Sequence, residues 1–260
     1  MGEVRGIVLD MEGVLHVGYR PLPGAAEALA ALDRAGLPHA ILTNTTSRAR
    51  SQIGERLDAM GMPYPVDRIV TAASATVAHL HRRHPGARVL LLAEPGALRE
   101  VEESGGLRLV ESAGEADVVC LGGPDDAVTW SRLQEGFRAL MAGAAFVAMQ
   151  RNRWWPTPDG PGLDAGCFVR GLEYSSGRRA TVIGKPSAAA YRAALRVVGV
   201  PARQAMMVGD DPEADLGTAG RIGMATCLVR TGKGASFPDP MPGVDLDLPA
   251  LADLPAALGA

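Results

Sequence analysis

Long apolar runs, paired cysteines and an excess of basic charge are all missing from this 260-residue chain. Each absence excludes something. No apolar stretch approaches the ~20 residues that a membrane-spanning helix needs, so no membrane association is expected. The three cysteines, Cys120, Cys167 and Cys227, are odd in number, far apart and without a C-x-x-C pair. They indicate neither a disulfide framework nor a zinc site, and a cytoplasmic location is expected. The net charge of −3 argues against a polyanionic partner such as nucleic acid. A small phosphorylated ligand stays open, because it needs only local positive charge. An apolar run begins at Val4, so no basic-then-apolar leader is expected.

What is present is a globular composition, 47% apolar and 21% charged. The length suits one large domain or two ordinary ones, with a core that needs no staples. The stretch from Val4 to Leu15 is the most telling. It opens as a short apolar run, which suits a strand buried on both faces. It then breaks into Asp10-Met11-Glu12-Gly13. Burial disfavours the charged form of carboxylates at a strand end, and a bound cation is the usual compensation. Ligands of open α/β sheets sit at such strand ends.

The pattern continues as alternating helix and strand. Helical composition over Ala25–Ala35 stops at Gly36, and the strand His39–Thr43 ends in Asn44-Thr45-Thr46-Ser47. A helix carrying Ile53, Leu57 and Met60 precedes a strand at Arg68–Thr71. The order β-α-β-α-β implies a parallel sheet with right-handed crossovers. Residues 151–160 read as a loop containing Trp154 and Trp155, two of three tryptophans. A packed loop is one reading of Trp154, and stacking on an organic leaving group is the other. Asp164 reads either as a helix cap or as a substrate contact. His79, His81 and His84 read as a solvated helix face. The early style then returns. Ser187 can cap a helix to Val198, and the buried strand Ala205–Val208 ends in Gly209-Asp210-Asp211. The expected fold is a doubly wound, Rossmann-like parallel-sheet α/β core, residues 1–77 and 181–260, with an inserted α/β cap domain at 78–180.

Four strand ends or adjoining loops carry matched polar groups: Asp10 and Glu12, Thr43 and Asn44, Lys185, and Asp210 with Asp211 and Asp215. Phosphoryl transfer fits them. A carboxylate can attack phosphorus to form an acyl phosphate. Carboxylate and phosphate repel each other, so a cation is needed between them, and magnesium suits an oxygen site with one or two carboxylates. Asp10 and Asp210 are the natural pair. Lys185 supplies fixed positive charge, the Thr43 hydroxyl can hold phosphate oxygens, and Glu12 is placed to protonate the leaving oxygen and then activate water.

These residues resemble the four ordered motifs of the haloacid dehalogenase superfamily. Glu173–Gly177 ahead of Gly184-Lys185-Pro186-Ser187, with Val229-Arg230-Thr231-Gly232-Lys233, resembles the branch containing phospholysine phosphohistidine inorganic pyrophosphate phosphatase. The resemblance implies Asp10 as nucleophile and magnesium ligand, the Glu12 carbonyl and Asp210 as further ligands, and Asp211 and Asp215 supporting them from behind. It also implies Thr43, Asn44, Thr45 and Lys185 as holders of the phosphoryl group. The superfamily's phosphatases usually carry aspartate at the position of Glu12. The expected function is a magnesium-dependent phosphatase of small phosphorylated compounds. The alternative is a phosphate- and magnesium-binding protein without turnover. Oligomeric state, homo-oligomer included, is open.

Overall fold

The computed structural model describes residues 3–123, 125, 128–157 and 159–259. The chain forms two compact units. One comprises Met1–Thr43, Arg50–Val70 and Lys185–Ala260, and the other Asn44–Ala49 and Thr71–Gly184.

The first unit opens with β1 (Gly6–Leu9), whose four residues are all buried. A short hairpin follows, β2 (His16–Val17) and β3 (Arg20–Pro21). Then come α1 (Ala25–Arg34), β4 (His39–Thr43), α2 (Arg50–Ala59) and β5 (Ile69–Thr71). Helix α1 buries Ala25, Ala28, Leu29 and Leu32, a stripe at helical spacing, against the sheet.

The second unit begins with α3 (Ala72–Arg83), capped by Thr71 accepting from the Ser74 N–H at 3.0 Å. This helix is unbroken through residue 77. The unit goes on through β6 (Arg88–Leu92), α4 (Pro95–Ser104), β7 (Arg108–Val110), β8 (Val118–Leu121), α5 (Trp130–Met141) and β9 (Ala145–Ala148). The stretch expected to be a loop is instead an antiparallel hairpin, β10 (Trp154–Thr157) and β11 (Gly160–Leu163). Its prolines, Pro156 and Pro161, sit directly opposite each other. Proline donates nothing to a ladder, so the sequence hides a two-stranded edge of this kind. Helix α6 (Ala165–Ser176) and β12 (Thr181–Val182) complete a five-stranded sheet of order β12-β9-β8-β6-β7.

Back in the first unit are α7 (Ala188–Val198), β13 (Ala205–Gly209), α8 (Gly217–Arg221), β14 (Ala225–Val229), β15 (Leu246–Leu248) and α9 (Leu254–Leu258). Ser187 caps α7 as its sequence indicated, accepting from the Ala189 N–H at 3.3 Å. The sheet order is β15-β14-β13-β1-β4-β5. The chain therefore builds outward from β1 to one side, then returns and builds outward from β13 to the other. Strands β1 and β13 pair in parallel, Leu9 beside Val208. Their carboxyl ends flank the point where the strand order reverses, the place where such sheets bind ligands. Among the described residues no helix is long and apolar enough to cross a membrane.

Leu32 is fully buried in the first unit's core. Leu32→Ala is expected to lower the unfolding free energy by about 2–5 kcal/mol, read as a shift of the urea midpoint at unchanged slope.

Candidate active site

The end of β1 delivers Asp10 to this reversal point, its backbone N–H bonded to the Val208 carbonyl at 2.9 Å. Lys185 arrives in the turn before α7. Its Nζ lies 2.6 Å from Asp10 Oδ1 and 2.6 Å from Asp215 Oδ1. All three side chains are buried. Asp215 is placed by a wide helical turn, Pro212–Leu216, that follows β13. Asp211 starts that turn by accepting from the Glu213 and Ala214 N–H groups at 3.1 Å. The Tyr191 hydroxyl, from α7, donates to the carbonyls of Ala214 and Asp215 at 2.7 and 2.8 Å.

Asp210 follows β13 directly, and the Lys233 N–H donates to its Oδ2 at 2.8 Å. Two glycines let the chain close around it. Gly13 and Gly232 both have positive φ, and a Cβ on either would lie 2.0 or 2.2 Å from Asp210 Oδ2. Only glycine permits that approach. The Thr231 hydroxyl donates to the Gly13 carbonyl and ties these two loops together. Arg230 anchors the second loop through Asp247 and the carbonyls of Phe237 and Pro238.

Carboxylate oxygens of Asp10, Asp210 and Asp215 all lie within 4.8 Å of one another. Among the described residues this is the one acidic, histidine or cysteine cluster close enough to share an ion. Burial pushes the Asp210 carboxyl up to about 6, against the pull of the Lys233 N–H. Burial likewise raises Asp10 and Asp215, and Lys185 pulls both back. Burial opposes the charge of Lys185 too, yet Asp10 and Asp215 hold its ammonium well above the ordinary lysine value. One ammonium thus serves two carboxylates directly, with a third, Asp210, close beside them. The donors are hard oxygens, the set that suits a small divalent cation.

The remaining sequence candidates divide. Thr43 is buried at the end of β4, the strand beside β1. Asn44 and Thr45 open the second unit's 44–49 segment, where Asn44 Nδ2 lies 3.4 Å from Asn152 Oδ1. Asp211 starts its turn and pairs with Lys233 Nζ at 2.8 Å. Glu12 does not join the three aspartates. Its Oε1 accepts from the Gly18 N–H at 2.8 Å, and its Oε2 lies 2.9 Å from His16 Nδ1. Burial opposes ionisation of Glu12, but these two contacts outweigh it and hold the carboxyl below the ordinary glutamate value. Asp164 caps α6 through the Ala165 N–H at 2.7 Å. Trp154 is exposed on β10, opposite Leu163, and the Trp155 side chain lies outside the described residues. Motif spacing did not reveal the Thr231-Gly232-Lys233 loop as a wall of the site. The segment Val229–Lys233 carried only the branch resemblance in the sequence, with no role attached to it.

Known proteins are similar to this chain over most of its length. A haloacid dehalogenase-like hydrolase family model matches residues 7–106, and a second model for hydrolases of that type matches residues 182–240. The human haloacid dehalogenase-like hydrolase domain-containing protein 2 is 33% identical over 230 residues, 88% of this chain and 85% of that protein. Human phospholysine phosphohistidine inorganic pyrophosphate phosphatase is 30% identical over 236 residues, 88% of this chain and 84% of that one. A p-nitrophenyl phosphatase from Archaeoglobus fulgidus superposes with a TM-score of 0.91 at 27% identity, covering 98% of this chain and all of that one. With the acidic cluster at the reversal of a doubly wound sheet, and with relatives aligned along most of their length, the chain belongs to the haloacid dehalogenase-like hydrolases.

Proposed function

We propose that the protein is a magnesium-dependent phosphatase of small phosphorylated compounds that works through an aspartyl phosphate on Asp10. The observation that carries this reading is the buried Lys185 ammonium 2.6 Å from Asp10, among three carboxylates at the reversal point of the sheet. Relatives named for hydrolysing p-nitrophenyl phosphate and for acting on phosphoamides and pyrophosphate support it.

In this mechanism an Asp10 oxygen attacks phosphorus. The new carboxyl O–P bond forms as the bond to the leaving oxygen breaks, and that oxygen takes a proton from Glu12. Water then attacks the aspartyl phosphate and gives a proton to Glu12. Phosphate departs and the Asp10 carboxylate is restored. Lys185 keeps its charge throughout and neutralises negative charge gathered beside Asp10. Thr43, Asn44 and Thr45 are assigned to the phosphoryl oxygens. The cluster of hard oxygens, with Asp210 wrapped by Gly13 and Gly232, fits a small divalent ion. Magnesium would be held by Asp10, the Glu12 carbonyl and Asp210, and would offset the repulsion between carboxylate and phosphate. Asp211 and Asp215 hold their neighbours in place. The second unit is assigned the part of a substrate-selecting cap, with Trp154 among its contacts. Asp164 is already engaged as a helix cap.

Asp10→Asn keeps the side chain's size and removes its attacking charge. Phosphate release from p-nitrophenyl phosphate is expected to fall by at least about a thousandfold, with an unchanged circular dichroism spectrum. Wild-type turnover by this variant removes Asp10 from the mechanism.

Ion binding is expected to depend on pH. A carboxyl raised from about 3.9 when unfolded to about 6 in the folded chain binds its proton more tightly when folded. The stability this gives is complete below the unfolded value and fades as pH climbs through 6. Magnesium competes with that proton. Millimolar magnesium is therefore expected to raise the melting temperature clearly at about pH 7.5 and little at about pH 5. Equal shifts at both, or none at either, would count against Asp210 as a ligand.

A further inference from the structure

The second unit carries a strand reversal of its own. From β6 the chain builds outward through α4 to β7, then returns to the other side of β6 and builds outward through β8 and β9. Ligands of open parallel sheets bind in the crevice beyond the carboxyl ends of the strands at such a reversal. Here that crevice receives the chain itself, the segment Asn44–Ala49, which packs with the second unit. We propose that Thr46 and Glu94 are positioning residues: the Thr46 hydroxyl, bonded to the Glu94 carboxylate, holds this segment at the strand ends and so fixes Asn44 and Thr45 for phosphate. The inference rests on the phosphatase reading, which assigns Asn44 and Thr45 to the phosphoryl oxygens, and adds to it the pair that orders them.

Strand register brings the contact about. Leu92 of β6 lies beside Leu121 of β8, so Glu94 and Gly123, each two residues further on, leave the sheet side by side. The Glu94 N–H donates to the Gly123 carbonyl at 2.9 Å. Thr46 is buried, and its hydroxyl donates to Glu94 Oε1. Glu94 stands at the start of α4, but its carboxylate makes no capping bond there, which leaves it to Thr46. Two glycines make room. A Cβ on Gly123 would lie 2.3 Å from Glu94 Oε1 and 2.5 Å from the Thr46 hydroxyl oxygen. A Cβ on Gly96, in the first turn of α4, would lie 2.1 Å from the Ser47 carbonyl carbon. The segment thus meets α4 backbone to backbone and the end of β6 through one side-chain bond.

The start of the segment is bounded as well. Asn44 Nδ2 lies 3.4 Å from Asn152 Oδ1, and a Cβ on Gly184 would lie 2.6 Å from Asn44 Oδ1. Asn152 is held in turn, its N–H donating to Gln150 Oε1 at 2.5 Å while Gln150 Nε2 donates to Asp164 Oδ1 at 2.5 Å. Thr45 lies between these two fixtures, Asn44 on one side and Thr46 on the other. A segment ordered in advance loses no conformational freedom when phosphate binds. Groups that touch the phosphoryl oxygens before and during reaction act on KM more than on kcat.

The test uses the intact chain with magnesium present. It measures KM and kcat on p-nitrophenyl phosphate and on butyl phosphate, and the affinity for inorganic phosphate by calorimetry. T46V exchanges the hydroxyl for a methyl at nearly constant shape. It is expected to raise KM on both esters by the same factor, about tenfold, and to weaken inorganic phosphate by that factor, with kcat changed less than about threefold. T46S keeps the hydroxyl and E94Q keeps an acceptor oxygen, so both are expected to stay within about twofold of the wild type. Adding E94A to T46V is expected to cost less than about a further twofold, because both changes remove one bond. KM factors that differ between the esters, with phosphate affinity unchanged, would make the pair a selector of the organic group and overturn the proposal. So would a lower melting temperature of T46V without loss of phosphate affinity, a T46S protein as weak as T46V, or additive losses in the double variant. Wild-type protein that neither hydrolyses the esters nor binds inorganic phosphate overturns the phosphatase reading and this inference with it. That outcome is distinct from an active wild type whose T46V variant binds phosphate equally well, which overturns the positioning role alone.

Discussion

The first unit depends on one buried ammonium. Lys185 Nζ sits 2.6 Å from carboxylates contributed by the ends of two neighbouring strands, Asp10 after β1 and Asp215 in the turn after β13. Removing either partner of such a contact strands a buried charge, which costs more than the contact itself gains. The cluster therefore fixes three segments far apart in sequence to one point. The loop before α7 must bring Lys185 in, β1 must end at Asp10, and the wide turn after β13 must direct Asp215 inward. Tyr191 completes the arrangement from α7, bonding the carbonyls of that turn. The helix that Lys185 introduces thus braces the residue that Lys185 contacts.

Close packing around the cluster follows from missing side chains. Asp210 is enclosed by Gly13 and Gly232, and a Cβ on Gly209 would meet the Asp215 side chain at 2.5 Å. Each glycine costs conformational entropy on folding, but its absent Cβ brings backbone N–H groups within reach of carboxylates. The Lys233 N–H on Asp210 is one such group. The loop that supplies it is held from outside by Arg230 on Asp247 and from inside by Thr231 on Gly13.

Much of this was legible in the sequence, for physical reasons that also mark where legibility ended. The strands β1, β4 and β13 are buried on both faces, so they read as short apolar runs that stop abruptly at polar groups. The helix caps at Ser187 and Asp164 were visible because capping depends on one side chain and its nearest neighbours. The β10–β11 hairpin was not, since its facing prolines and glycines are turn signals in any linear reading. Nor were β7 and β15, strands of three residues each at sheet edges. The contact of Glu12 with His16 was invisible for a different reason. Spacing of four suggests a helix face, whereas here a backbone turn through Gly13 brings the pair together.

The charge balance of the site states what it must take up. Asp10, Asp210, Asp211 and Asp215 are four carboxyl groups served by two ammonium groups, Lys185 and Lys233. Lys233 is spent on Asp211 at the exposed rim. A phosphate dianion approaching Asp10 meets an excess of negative charge with Lys185 already shared between two carboxylates. Coulomb repulsion at contact distance grows severe as the effective dielectric falls in such a buried place. Protonating Asp210, whose carboxyl sits near 6, relieves part of it at low pH but leaves Asp210 unable to serve as an anionic ligand. A divalent cation would relieve it at neutral pH and, in the proposed mechanism, would leave the Asp10 carboxylate available as the nucleophile. In the proposed mechanism, the same burial that makes the aspartates reluctant to ionise would therefore make a bound cation the condition for phosphate to approach Asp10.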